Sequence, residues 1–118
     1  MTLFADGVTS SLQTALGALS YRQQVTSQNI ANSATPGYHA KRVSFEDSLA
    51  AAQATGADPM AATQVASYEA GTPADATGNT VAMDAETIDL QQESLQYSSV
   101  AQALTYKFSV MRAAIGNA

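Results

Sequence analysis

The sequence predicts an all-α chain: long N- and C-terminal helices paired in a coiled-coil-like unit and joined by a loop-rich acidic segment. Three observations predict it. Apolar residues at both ends recur in alternating steps of three and four, the period of one helical face. The middle shows no sustained period. And 24 of the 118 residues are Ala, so a hydrophobic content of 46% flatters the core, because a buried Ala removes far less surface from water than Leu or Phe. A chain of this length makes one domain. Its expected parts are an N-terminal helix over 1–33, a turn with a short helix and a loop-rich arm over 34–83, and a C-terminal helix over 84–118.

In the first helix the stripe is Ala5, Val8, Leu12, Ala15 and Leu19, widened by Leu16 and Ile30. Between Arg22 and Asn29 the seam turns polar through Gln23, Gln24, Thr26, Ser27 and Gln28. Such a helix needs packing partners, since helix formation in water is cooperative and marginal.

The helix ends in "NIANSATPGY", Asn29 to Tyr38. Asn29 and Asn32 share a face of the last turn, and each amide both donates and accepts. Thr35 precedes proline, which pushes it out of the α region. Pro36 and Gly37 suit the central positions of a type II turn, with Gly37 supplying positive φ, and Tyr38 follows as an aromatic anchor. By these rules alone the simplest reading is an ordinary capped turn.

In the middle, "SFEDSLAAAQATG" predicts a short helix capped by Ser44 and stopped at Gly56, with Glu46 and Asp47 in its first turn. The stretch after it buries too little to offset its ordering entropy and reads as a loose arm. "NTVAM" then alternates Val81 and Met83 as a short extended piece.

The C-terminal helix carries Leu90, Ser94, Tyr97, Ala101, Leu104, Phe108, Met111 and Ile115 as a heptad-type seam, flanked by Leu95 and Val100. Asp84 is its expected N-cap. Asp84, Glu86, Asp89 and Glu93 read as partners of the helix dipole on a solvated face, with Lys107 and Arg112 near the other end.

Charge and composition narrow the function. Val43 to Glu93 holds nine acids and no base, which argues against sequence-independent nucleic-acid binding. The chain has no Cys, hence neither disulfides nor thiolate ligands. No cleavable secretory signal is visible in "MTLFADGVTSSL", and no run reaches the roughly 20 apolar residues of a membrane span. His39 is the sole histidine and lacks a partner motif for acid–base work. No metal-loop spacing or phosphate loop is present. No enzyme, cofactor, metal or small-molecule substrate is therefore expected.

"NIANSATPGY" resembles the signature of the bacterial flagellar rod and hook proteins, in which an N-terminal helix leads into Asn-x-x-Asn and then Thr-Pro-Gly-Tyr. "GNTVAMDAE", from Gly78 to Glu86 with Asn79, Val81, Met83, Asp84 and Glu86, resembles a second hallmark of the proximal-rod members, as does the ending "YKFSVMRAAI". The family varies where residues 50–77 carry no resemblance. Distal rod and hook members are longer, with folded inserts between their helices, and this chain has none. His39 stands where Lys or Arg is frequent.

The resemblance implies a structural subunit that packs its terminal helices side by side into the tubular drive shaft of the flagellum. It implies partners: sister copies, the rod proteins FlgC and FlgF, the adaptor FliE, the membrane ring and the export gate. It also implies a periplasmic rod location in the basal body, reached by type III export without a cleaved signal. Leu12, Leu16, Leu19, Ile30, Leu90, Tyr97, Leu104, Phe108, Met111 and Ile115 are then the expected assembly residues. The alternative class is another type III-secreted helical subunit, needle-like or effector-like, which would not require either motif.

Overall fold

The computed structural model describes residues 7–116; Ala5, expected on the first stripe, lies outside them. Two long helices dominate, α1 (Gly7–Ala31) and α4 (Met83–Gly116). They lie side by side and antiparallel: Gln23, Thr26 and Asn29 of α1 bond Ser94, Glu93 and Glu86 of α4 in turn. A helix of 34 residues runs about 51 Å, and the chain measures 66 × 26 × 15 Å. Its radius of gyration, 17.9 Å, exceeds the roughly 13.5 Å of a compact chain this long. The molecule is a rod-shaped pair of helices with a small appendage.

That appendage is more ordered than the sequence pattern predicts. Strand β1 (Lys41–Ser44) pairs antiparallel with β2 (Ala66–Glu69), in a register that sets Lys41 opposite Glu69 and Val43 opposite Ser67. Between the strands lie α2 (Glu46–Thr55) and the single turn α3 (Pro59–Ala62). Four-residue strands with one buried side chain, Val43, are too short to impose a readable period. The segment expected as a loose arm is thus partly sheet and helix.

Helix boundaries follow local chemistry. At Gly56, φ is 71° and the helix closes through backbone bonds to Ala52 and Gln53, the expected stop. The expected cap at Ser44 is not used. Phe45 occupies the cap position, and the Glu46 carboxylate accepts from its N–H at 3.1 Å. Asp58 caps α3 by accepting from Met60 N–H, with Pro59 in the first turn. The last helix starts at Met83, so Asp84 lies in its first turn instead of capping it.

The apolar core is small: Ala18 and Leu19 of α1 meet Phe45, with Ala15, Leu49 and Val100 packed around them. Arg22 clips the appendage onto α1. Its guanidinium donates to Val43 O, pairs with Glu46 and lies 4.8 Å over the Phe45 ring. Burial alone would raise the Glu46 pKa, but the Phe45 N–H and Arg22 outweigh it and hold the carboxyl below its usual value.

The face that α4 turns inward differs from the predicted seam. Glu86, Glu93 and Met111 are buried and Leu90, Val100 and Leu104 half-buried, whereas Ser94, Tyr97, Phe108 and Ile115 are exposed. The expectation that Glu86 and Glu93 belong to a solvated face is overturned, since Glu86 is 0% and Glu93 7% exposed. The reason is complementarity: the polar end of α1 offers Thr26 and Asn29 as donors, and α4 rotates its acids towards them.

Replacing Phe45 with Ala should lower stability by about 3 kcal/mol through the cavity it leaves. Thermal unfolding followed by circular dichroism measures this, and an unchanged midpoint would show that the cluster does not hold the appendage.

Candidate assembly interface

The polar end of α1 closes around one side chain. Asn29 is 0% exposed and uses its whole hydrogen-bonding capacity. Its Nδ2 donates to Lys41 O at 2.8 Å and to Glu86 Oε2 at 3.0 Å. Its Oδ1 accepts from Lys41 N–H at 3.0 Å and from the Tyr38 hydroxyl at 3.2 Å. One amide thereby ties α1, the turn, β1 and α4 together. Arg42 completes the joint, donating to Glu86 Oε1 at 2.6 Å and reaching Asp89 at 3.4 Å.

The turn between these partners has the expected form. Gly37 has φ 73°, and Tyr38 N–H donates to Thr35 O at 3.2 Å across Pro36 and Gly37. Asn32 ends the helix, its Nδ2 bonding Gln28 O and its Oδ1 accepting from Thr35.

The second motif holds this turn from outside. Asn79, 2% exposed, donates from Nδ2 to Asn32 O at 2.9 Å and Thr35 O at 2.7 Å, and its Oδ1 accepts from Val81 N–H. Asp75 accepts from Thr77 and from Asn79 N–H, which holds its pKa below the usual value. Gly37 N–H donates to Thr77 O and Thr80 N–H to Tyr38 O. The Thr80 hydroxyl accepts from Ala40 N–H. A Cβ on Gly78 would sit 3.5 Å from Gly37 Cα, so the two glycines bring their backbones together. Two motifs separated by some 40 residues of sequence are one hydrogen-bonded unit.

The remaining predicted residues divide between this unit and the surface. Leu19 and Met111 are buried; Leu12, Leu16, Ile30, Leu90, Leu104, Tyr38 and Val81 are half-buried. Thr35, Pro36, Met83 and Asp84 are exposed. Ile88, Leu95, Tyr106 and Val110 of α4 are exposed on the side opposite Glu93 and Met111, while Phe108 and Ile115 are exposed on the stripe they share with Leu104 and Met111. Phe108 and Ile115 line an apolar groove of about 470 Å³ with Thr105 and Arg112. His39 lies at the surface, 3.3 Å from Glu69. Sequence reasoning missed Arg22 and Arg42, the cations that fasten β1 and α2 to the long helices. For Arg42 the available signal was a basic residue close behind the first motif and an acid, Glu86, in the second.

Comparison with known proteins identifies relatives of this sequence. Residues 11–39 match the family described as flagella basal body rod protein. The chain is similar to flagellar basal body rod protein FlgB of Escherichia coli (strain K12), 35% identical over 112 residues that cover 79% of this chain and 81% of that protein. The chain belongs to the flagellar basal body rod protein family. It is 29% identical to FlgB of Bacillus subtilis (strain 168) over 129 aligned positions, 95% of each chain. As a family member it is a structural protein of the flagellar basal body rod and not an enzyme.

Asn29→Ala leaves the buried Glu86 Oε2 and the Lys41 N–H without their Asn29 partner, and should lower stability by about 3 kcal/mol. Urea titration tests it, a loss below roughly 1 kcal/mol counting against the joint. For Gly37→Val the space is open, so the penalty is conformational, about 1–2 kcal/mol for a positive φ. The same titration reads it.

Proposed function

We propose that this chain is a proximal-rod subunit, a single rod-type unit over 1–118 that assembles through the outer faces of its two long helices. The observation that carries the reading is the orientation of α4. Its carboxylates are spent inside the molecule on Asn29, Thr26 and Arg42, while Ile88, Leu95, Tyr106 and Val110 stay exposed on its far side and Phe108 and Ile115 stay exposed towards its end. Exposed apolar surface arranged along a helix marks an interaction site, and neighbouring helices of the same kind would cover it.

Within the shaft the neighbours are sister copies and the rod proteins FlgC and FlgF, with the adaptor FliE, the membrane ring and the export gate at the proximal end. The subunit reaches the periplasmic rod through the flagellar type III apparatus without cleavage of its N-terminus. This reading draws on the joined Asn-x-x-Asn, Thr-Pro-Gly-Tyr and "VAMDAE" motifs and on the similarity to basal body rod proteins. A proximal position also suits a chain whose long helices are joined by only a small folded appendage.

Phe108→Asp tests the exposed apolar surface of α4. Phe108 is 40% exposed, so the isolated variant should keep the wild-type circular dichroism spectrum and still be exported. It should be absent from purified basal bodies, because a carboxylate in an apolar contact would lack a partner. Motile cells with normal rods carrying Phe108→Asp would overturn the proposal.

A further inference from the structure

Glu93 sits where the two long helices touch, and it is incompletely satisfied. Its Oε1 accepts from the Thr26 hydroxyl at 2.9 Å, while Oε2 is buried with no hydrogen-bond partner. The side chain borders a polar cleft of about 290 Å³, also lined by Arg22, Arg42, Tyr68, Asp89, Gln92 and Gln96.

The charged groups around it do not supply the missing partner. From α1, Arg22 faces it, but its guanidinium is engaged by Val43 O and by Glu46 of α2. From β1, Arg42 is engaged by Glu86 and Asp89. From β2, Tyr68 lines the cleft without bonding it. On its own helix, Asp89 stands one turn away, and Glu86 lies beyond it on the same side. An ionised carboxylate here loses water on one oxygen, gains one hydroxyl and faces two further acids.

We propose that Glu93 is a proton-operated latch: protonated, it lets the middle of the α1–α4 pair close, and ionised, it loosens that section. Physical causes point the same way. Burial, first, pushes the Glu93 carboxyl above its ordinary value; the Thr26 hydrogen bond and Arg22 oppose this, and Asp89 and Glu86 add to it.

A carboxyl raised on folding binds its proton more tightly in the folded chain, so its ionisation costs stability. That cost is present at neutral pH, is relieved as pH falls through the raised value, and is gone below the ordinary glutamate value of about 4.3. Glu46 and Asp75 act oppositely, being lowered. Their contribution is present above the ordinary carboxylate range and is lost as pH falls through their lowered values. The helix pair is therefore tightest in mild acid. This holds whether or not the chain is a proximal-rod subunit.

Amide hydrogen exchange of the full chain, corrected for intrinsic rates, tests it at about pH 7.5 and about pH 4.5, the lower close to the free glutamate value. Amides of residues 25–29 and 91–97 should gain protection several-fold at the lower pH. In Glu93→Gln they should be protected at both, with the difference gone. An unchanged pH difference in Glu93→Gln would overturn the latch. So would a carboxyl-carbon NMR titration of the wild type, which needs no variant, placing Glu93 at or below free glutamate.

Discussion

A single saturated amide governs how this molecule is put together. Asn29 is the meeting point of α1, the Pro-Gly turn, β1 and α4, and it has no spare donor or acceptor. Such a group specifies geometry more than it adds net stability, because each bond made replaces one lost to water. Any slippage of α4 along α1 would leave the buried Glu86 carboxylate and one Asn29 N–H unpaired in a dry place. Register between the two helices is therefore set by polar chemistry at one end, while the greasy contact of Leu19, Phe45 and Val100 supplies adhesion further along.

This division of labour inverts the usual arrangement of a helical hairpin. The surface between the helices holds Thr26, Asn29, Glu86 and Glu93 beside its apolar contacts, and much of the apolar surface of α4 stays exposed. A buried carboxylate network is costly to desolvate and weak evidence for stability. Its use here is to settle which side of α4 remains available.

Much of this was legible in the sequence. The two long helices, the short helix over Glu46–Thr55, its stop at Gly56 and the turn at Gly37 follow from periodicity and residue chemistry that act locally. What was not legible depends on pairs distant in the chain. Glu86 and Glu93 look like surface acids until Asn29 and Thr26 are brought against them, and no local rule reports that meeting. The rotation of α4, which moves Glu93 in place of Ser94 to the inside, is a tertiary choice between two faces of similar period. Strands of four residues carry too few side chains for alternation to register. Asn79 was recognisable only through its motif, since its work is to bond Asn32 and Thr35 carbonyls far upstream.

The meeting of Gly37 with Thr77 and Gly78 has an evolutionary corollary. The segment between these points starts and ends at one narrow neck, so its two ends stay fixed whatever lies beyond. Closing a longer loop adds only about 0.6 kcal/mol per doubling of length. Extra sequence spliced in past the β1–β2 pair would hang as a side branch and leave the shaft's register intact. A common neck of this kind lets one lineage of subunits diversify in bulk while sharing a single way of stacking.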